Sequence, residues 1–110
     1  MLAGAEADVD RIERERTAWG DAHAALTRAG IASVRGDRRA AAQLLERAET
    51  ALVARALPGS AMAARHARGR LLAGDEGQSL VASAQAWMTE QGVVDASRWS
   101  DVTAPGRWTP

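Results

Sequence analysis

Cysteine, lysine, phenylalanine and tyrosine are all missing from this chain, and each absence removes a class of structure. Without cysteine there is neither a disulfide framework nor a thiolate metal site. Without phenylalanine and tyrosine, Trp19, Trp87, Trp99 and Trp108 carry all the aromatic bulk, and strand-forming residues are scarce. Without lysine, all 14 basic residues are arginine, and 14 acidic residues balance them to a net charge of zero. A neutral chain has no long-range field to draw in nucleic acid or an anionic membrane. Long apolar runs are missing too: none approaches the roughly 18 residues of a membrane span. The opening "MLAGAEADVDRIERER" turns charged at once and forms no apolar leader core. The expectation is a soluble, cytoplasmic chain without a membrane partner.

What remains is alanine, the commonest residue and the best helix former, with leucine beside it. A chain of 110 residues makes one domain that buries about 65% of its unfolded surface. Its core must come from helices in close contact through small side chains, so the fold class expected is all-α.

The periodicity supports this. Val9, Ile12, Trp19, Ala22, Ala25, Leu26 and Ala29 recur every three or four residues over 5–34, as one long helix or two collinear pieces, with Gly20 and Gly30 as weak points. After Gly36-Asp37 a second stripe runs through Ala41, Leu44, Leu45, Ala48, Ala51 and Leu52. Arg38, Arg39, Glu46, Arg47, Glu49 and Arg55 are expected to face water. Pro58-Gly59 should end that helix. A third helix fits 60–73 with Ser60 as N-cap and Met62, Ala63, Ala67 and Leu71 inward, with Leu72 at the edge of that face. A fourth fits 76–91 with Leu80, Val81, Ala84, Trp87 and Met88 inward, and Asp95 caps a short last helix. Short connections make neighbours antiparallel. The organisation expected is a helical domain over 1–104, four helices in hairpins plus the short one, and a Pro/Gly/Trp tail over 105–110.

Gly74-Asp75-Glu76-Gly77 is the one segment resembling a ligand loop. Gly-x-x-Gly could clamp nucleic acid, but Asp75 and Glu76 would repel phosphate. The oxygen donors of a calcium loop do not follow either. As punctuation the segment is explained: Gly74 supplies a left-handed residue, and Asp75 caps the next helix with Gln78 completing a capping box. Gly36-Asp37 stands 38 residues upstream, near the period of a helix-turn-helix solenoid of about 34 residues.

Other chemistry is sparse. His23 and His66 are far apart and have no partner at metal-ligand spacing, so they read as partly exposed helix residues. No phosphate loop, nucleophile elbow or catalytic carboxylate pair is present. No catalytic residue, cofactor or metal is expected. Arg65, Arg68 and Arg70 form the most basic short segment and are candidates for docking an acidic partner or RNA. Trp99 and Trp108 either fold back onto the core or anchor an interface.

The stretches "DRIERERTAWGDAHAALTRAGIASVRGDRRAAAQLLERAE" and "AARHARGRLLAGDEGQSLVASAQAWMTEQGVVDASRW", followed by "APG", resemble the C-terminal end of large myxobacterial serine/threonine protein kinases that carry tetratricopeptide-like repeats after the kinase domain. The likeness spans roughly 2–106. It includes the Arg-rich start, Trp19, both Gly-Asp turns, Ala86-Trp87-Met88 and Gln91-Gly92-Val93. The kinase motifs of that family, a Gly-rich loop, a strand lysine, a His-Arg-Asp loop and an Asp-Phe-Gly segment, have no counterpart here. The resemblance therefore implies a tetratricopeptide-like solenoid fragment, not an enzyme. Its expected role is protein–protein contact with the kinase and its repeats or with another signalling protein. Against such a kinase the Met1 start implies a truncated or split-off product. Loss of upstream repeats would uncover Val9, Ile12 and Trp19, the candidates for self-association as a homodimer. The alternative is a small nucleic-acid-binding helical protein using the Arg65–Arg70 face.

Overall fold

The computed structural model describes residues 22–108, and these are all helical, without strands. The expected Val9, Ile12 and Trp19 stripe and the weak point at Gly20 lie outside the described residues. Helix α1 occupies 22–34. It is followed by α2 (Arg38–Ala54), α3 (Pro58–Leu72), α4 (Gly74–Glu90) and the short α5 (Ala96–Thr103). Consecutive helices turn back on one another as hairpins. Helix α3 is central, packing against α2, α4 and α5.

Three of the turns are built alike. At the end of α1, Asp37 N–H donates to Ala32 O and Gly36 N–H to Ser33 O, with Gly36 at φ 83°. The same pair of bonds closes α2 onto Leu52 and Val53 around Ala56, and closes α4 onto Met88 and Thr89 around Gly92. Each satisfies carbonyls that a helix end leaves without partners. Two of the left-handed positions hold glycine, but the third holds Ala56 at φ 57°, where a Cβ is disfavoured.

Two expected boundaries shift. Pro58-Gly59 begins α3 instead of ending α2, since proline is preorganised for the first helical position and lacks only an N–H that would be unbonded anyway. Ser60 is thus inside the helix and Leu57 is the N-cap residue. Between α3 and α4 the break falls on Ala73, at φ 55° and ψ −167°, with Gly74 also at positive φ. Asp75 makes no capping bond. It stands with Glu76 in the first turn, where negative charge meets the positive end of the helix dipole. Asp37 and Asp95 do cap, accepting from Ala40 N–H at 3.1 Å and Arg98 N–H at 3.0 Å.

Glycine governs how close the helices come. A Cβ on Gly69 would lie 2.7 Å from Gly77 O and 2.8 Å from Val81 Cγ2, and one on Gly77 would strike Gly69 O. Gly30, in the middle of α1, is no break: a Cβ there would lie 2.5 Å from Pro105 O, because the C-terminal segment crosses the helix at that point. Arg107 N–H then donates to Ser33 Oγ at 2.7 Å, and Ser33 Oγ donates to Gly30 O at 2.7 Å. Trp108 is 1% exposed, with its indole N–H on Ala104 O at 2.8 Å. Of the two roles open to Trp108, it takes the one that folds back onto the core. The segment through Trp108 joins the core of Leu45, Leu52, Met62, Leu71 and Met88.

Two substitutions test this account. Gly77→Ala should lower unfolding stability by about 2 kcal/mol in urea titration, since the overpacking cost exceeds the gain in helix propensity. Ala56→Gly should raise it by about 1 kcal/mol in the same measurement, by relieving the left-handed alanine.

Candidate interaction surfaces

The Arg65, Arg68 and Arg70 segment lies on α3, where each residue turns the side chain by about 100°. Arg65 and Arg68 therefore share one side of the helix and Arg70 takes another. Arg65 and Arg68 reach toward α2, where Glu49 accepts from Arg65 Nε at 3.1 Å, Arg65 Nη2 at 2.7 Å and Arg68 Nη2 at 3.1 Å. Arg65 Nη1 also donates to Ser83 Oγ of α4 at 3.3 Å, so one guanidinium ties three helices. Arg70 points the other way and pairs with Asp101 of α5 at 2.8 Å. All three charges are matched within the chain.

Glu49 was expected to face water, and the structure corrects this: it is buried at the α2–α3 contact. The signal was present in the sequence, since Glu49 stands four residues after Leu45 and three before Leu52, on the apolar face itself. Its charge is tolerated because two guanidinium groups satisfy both oxygens. Farther along, Arg38 Nη2 donates to Leu71 O at 3.1 Å, capping the end of α3.

The histidines part company. His23 is half-buried and lines an apolar hollow of about 390 Å³ with Leu26, Ile31 and Pro105. His23 is thus partly exposed as expected, whereas His66 is 1% exposed, which corrects the expectation for that residue. Neither ring nitrogen of His66 has a hydrogen-bond partner among the described residues. Burial, and then the nearby Arg70 charge, lower its pKa from the ordinary 6.5, while Asp101 opposes them. Among the described residues, no cluster of three or more His, Cys, Asp or Glu could hold a metal.

The two candidate tryptophans also differ. Trp108 takes the core position described above. Trp99 is half-buried, one ring edge 3.2 Å from where a Cβ of Gly59 would stand. Around it, Val93, Val94, Asp95, Arg98 and Val102 line a shallow hollow of about 340 Å³. Val94 is fully exposed and Val102 is 75% exposed. In the sequence these valines carry no signal of exposure, because Val93-Val94 follows a helix end and Val102 fits the apolar period of α5.

Among the described residues, no helix is long and apolar enough to cross a membrane. Comparison of the chain with protein-family models, with curated proteins and with solved structures gives no match.

Removing the buried carboxylate gives a direct test of how the arginines are held. Glu49→Gln should cost about 2 to 3 kcal/mol in urea unfolding, at or below the low end of the range of about 3–5 kcal/mol for a buried pair because the arginines are partly solvated.

Proposed function

We propose that the chain is a non-catalytic helical protein–protein interaction module of cytoplasmic, kinase-linked signalling, with the α4–α5 corner as its docking surface. The observation that carries this reading is the grouping of Val94, Val102 and the open side of Trp99 on one corner. Single exposed valines are ordinary, but two valines beside a tryptophan make the kind of anchor on which protein interfaces concentrate their energy. The helical hairpins accord with a tetratricopeptide-like fragment. The link to a serine/threonine protein kinase rests on the residue stretches quoted above.

The alternative, a nucleic-acid-binding helical protein, requires arginines available for phosphate. Arg65, Arg68 and Arg70 are instead matched by Glu49 and Asp101, and the chain is neutral overall. That arrangement disfavours phosphate binding at the Arg65–Arg70 face.

The test places a photo-crosslinking residue at Val102 in the full chain, expressed in its native cells, and identifies the cross-linked peptides. The expected product is a peptide from a serine/threonine protein kinase or its repeat region. It should be lost in Val94→Asp while helicity by circular dichroism is unchanged. RNA and duplex DNA should not bind in low salt. Salt-sensitive binding to either, weakened by Arg70→Ala, would favour the alternative instead.

A further inference from the structure

Buried imidazoles usually bond to something through at least one nitrogen. His66 has no such partner among the described residues, and its position gives that omission a consequence. On α3, Gly59, His66 and Arg70 follow at helical spacing along one stripe. The two ends of the stripe face α5: Gly59 lies under Trp99, and Arg70 bonds to Asp101. His66, 1% exposed, sits between these contacts, where α5 covers α3.

Among the described residues, the charged groups around His66 are few. On its own helix, Arg70 disfavours a second positive charge. On α5, Asp101 would favour one, but it is already engaged by Arg70 at 2.8 Å, and Arg98 stands exposed one turn earlier. Helix α4 has no charged residue between Glu76 and Glu90. On α2, Glu49 is held by Arg65 and Arg68, and Glu46 lies 4.0 Å from Arg68, on another flank of α3. An imidazolium would thus be buried beside a cation without a free acceptor among the described residues.

We propose that His66 is an acid-sensitive latch for α5: on taking up a proton, it parts α5 from α3 while α2, α3 and α4 remain packed. Helix α5 is the element that yields because it is eight residues long, whereas α4 is 17 residues long and is tied to α3 at Gly69–Gly77 and through Ser83. The direction follows from linkage. In the closed state His66 titrates below 6.5, and in the open state it returns to that ordinary value. Above 6.5 both states are neutral and closure is complete. As pH falls below it, the open state binds a proton that the closed state does not, and closure weakens by at most about tenfold per pH unit for one proton. The device is independent of the docking reading.

The experiment is hydrogen-exchange mass spectrometry of the full chain from about pH 7.5 to about pH 5, with rates corrected for intrinsic pH dependence. Peptides from 96–103 should lose protection by about tenfold while those from 41–52 keep theirs. His66→Gln and His66→Leu should abolish the pH dependence in 96–103. Because either variant could perturb packing, the imidazole of the unaltered chain is followed by NMR, and its titration should coincide with the opening of α5. Three results would overturn the latch. One is an imidazole that titrates while α5 stays protected, which would mean that Asp101 has turned from Arg70 to take the proton's charge. The others are simultaneous loss of protection in every helix, and variants that follow the unaltered pH curve.

Discussion

Helix α3 can be enclosed by α2, α4 and α5 only because it is narrow. Ala61, Ala63, Ala64, Ala67 and Gly69 put little between its backbone and its neighbours, and at Gly69 nothing at all separates it from Gly77 O. Dispersion falls off steeply with distance, so a chain without phenylalanine must gain its packing by bringing backbones together. The larger side chains, Leu45, Leu52, Met88 and Trp108, then fill the spaces around this thin central rod. The one-residue joint at Ala73 follows from the same constraint. Helices that approach this closely leave little room for a longer connection.

The helices themselves were legible because alanine and leucine at three- and four-residue spacing admit few other structures, and both capping aspartates, Asp37 and Asp95, announce the helices they start. The misplaced boundaries share one cause. Pro58-Gly59 and Gly74-Asp75 are signals that mark a turn without saying on which side of it they belong. Ala56 takes positive φ with no glycine beside it, and Ala73 takes it together with Gly74; an alanine gives no warning of that role.

The candidate surface was less legible, for a different reason. Whether an arginine is available depends on partners far along the chain: Glu49 is 16 residues from Arg65, and Asp101 is 31 from Arg70. A local cluster of like charges therefore said little about the field outside the folded molecule. Trp99 and Trp108 show the same dependence. Both stand in polar, irregular sequence, yet one is enclosed because Gly30 leaves a path for the segment that carries it, while the other keeps one side open.

The contact between Arg107 and Ser33 spans 74 residues of chain. Synthesis proceeds at about 5–20 residues per second, so α1 leaves the ribosome roughly 4 to 15 s before the segment that crosses it. During that interval Leu26 and Ala29 have only part of their final cover. The groove around Gly30 is therefore a waiting surface in every newly made molecule, until the segment at Pro105 to Arg107 emerges and closes it.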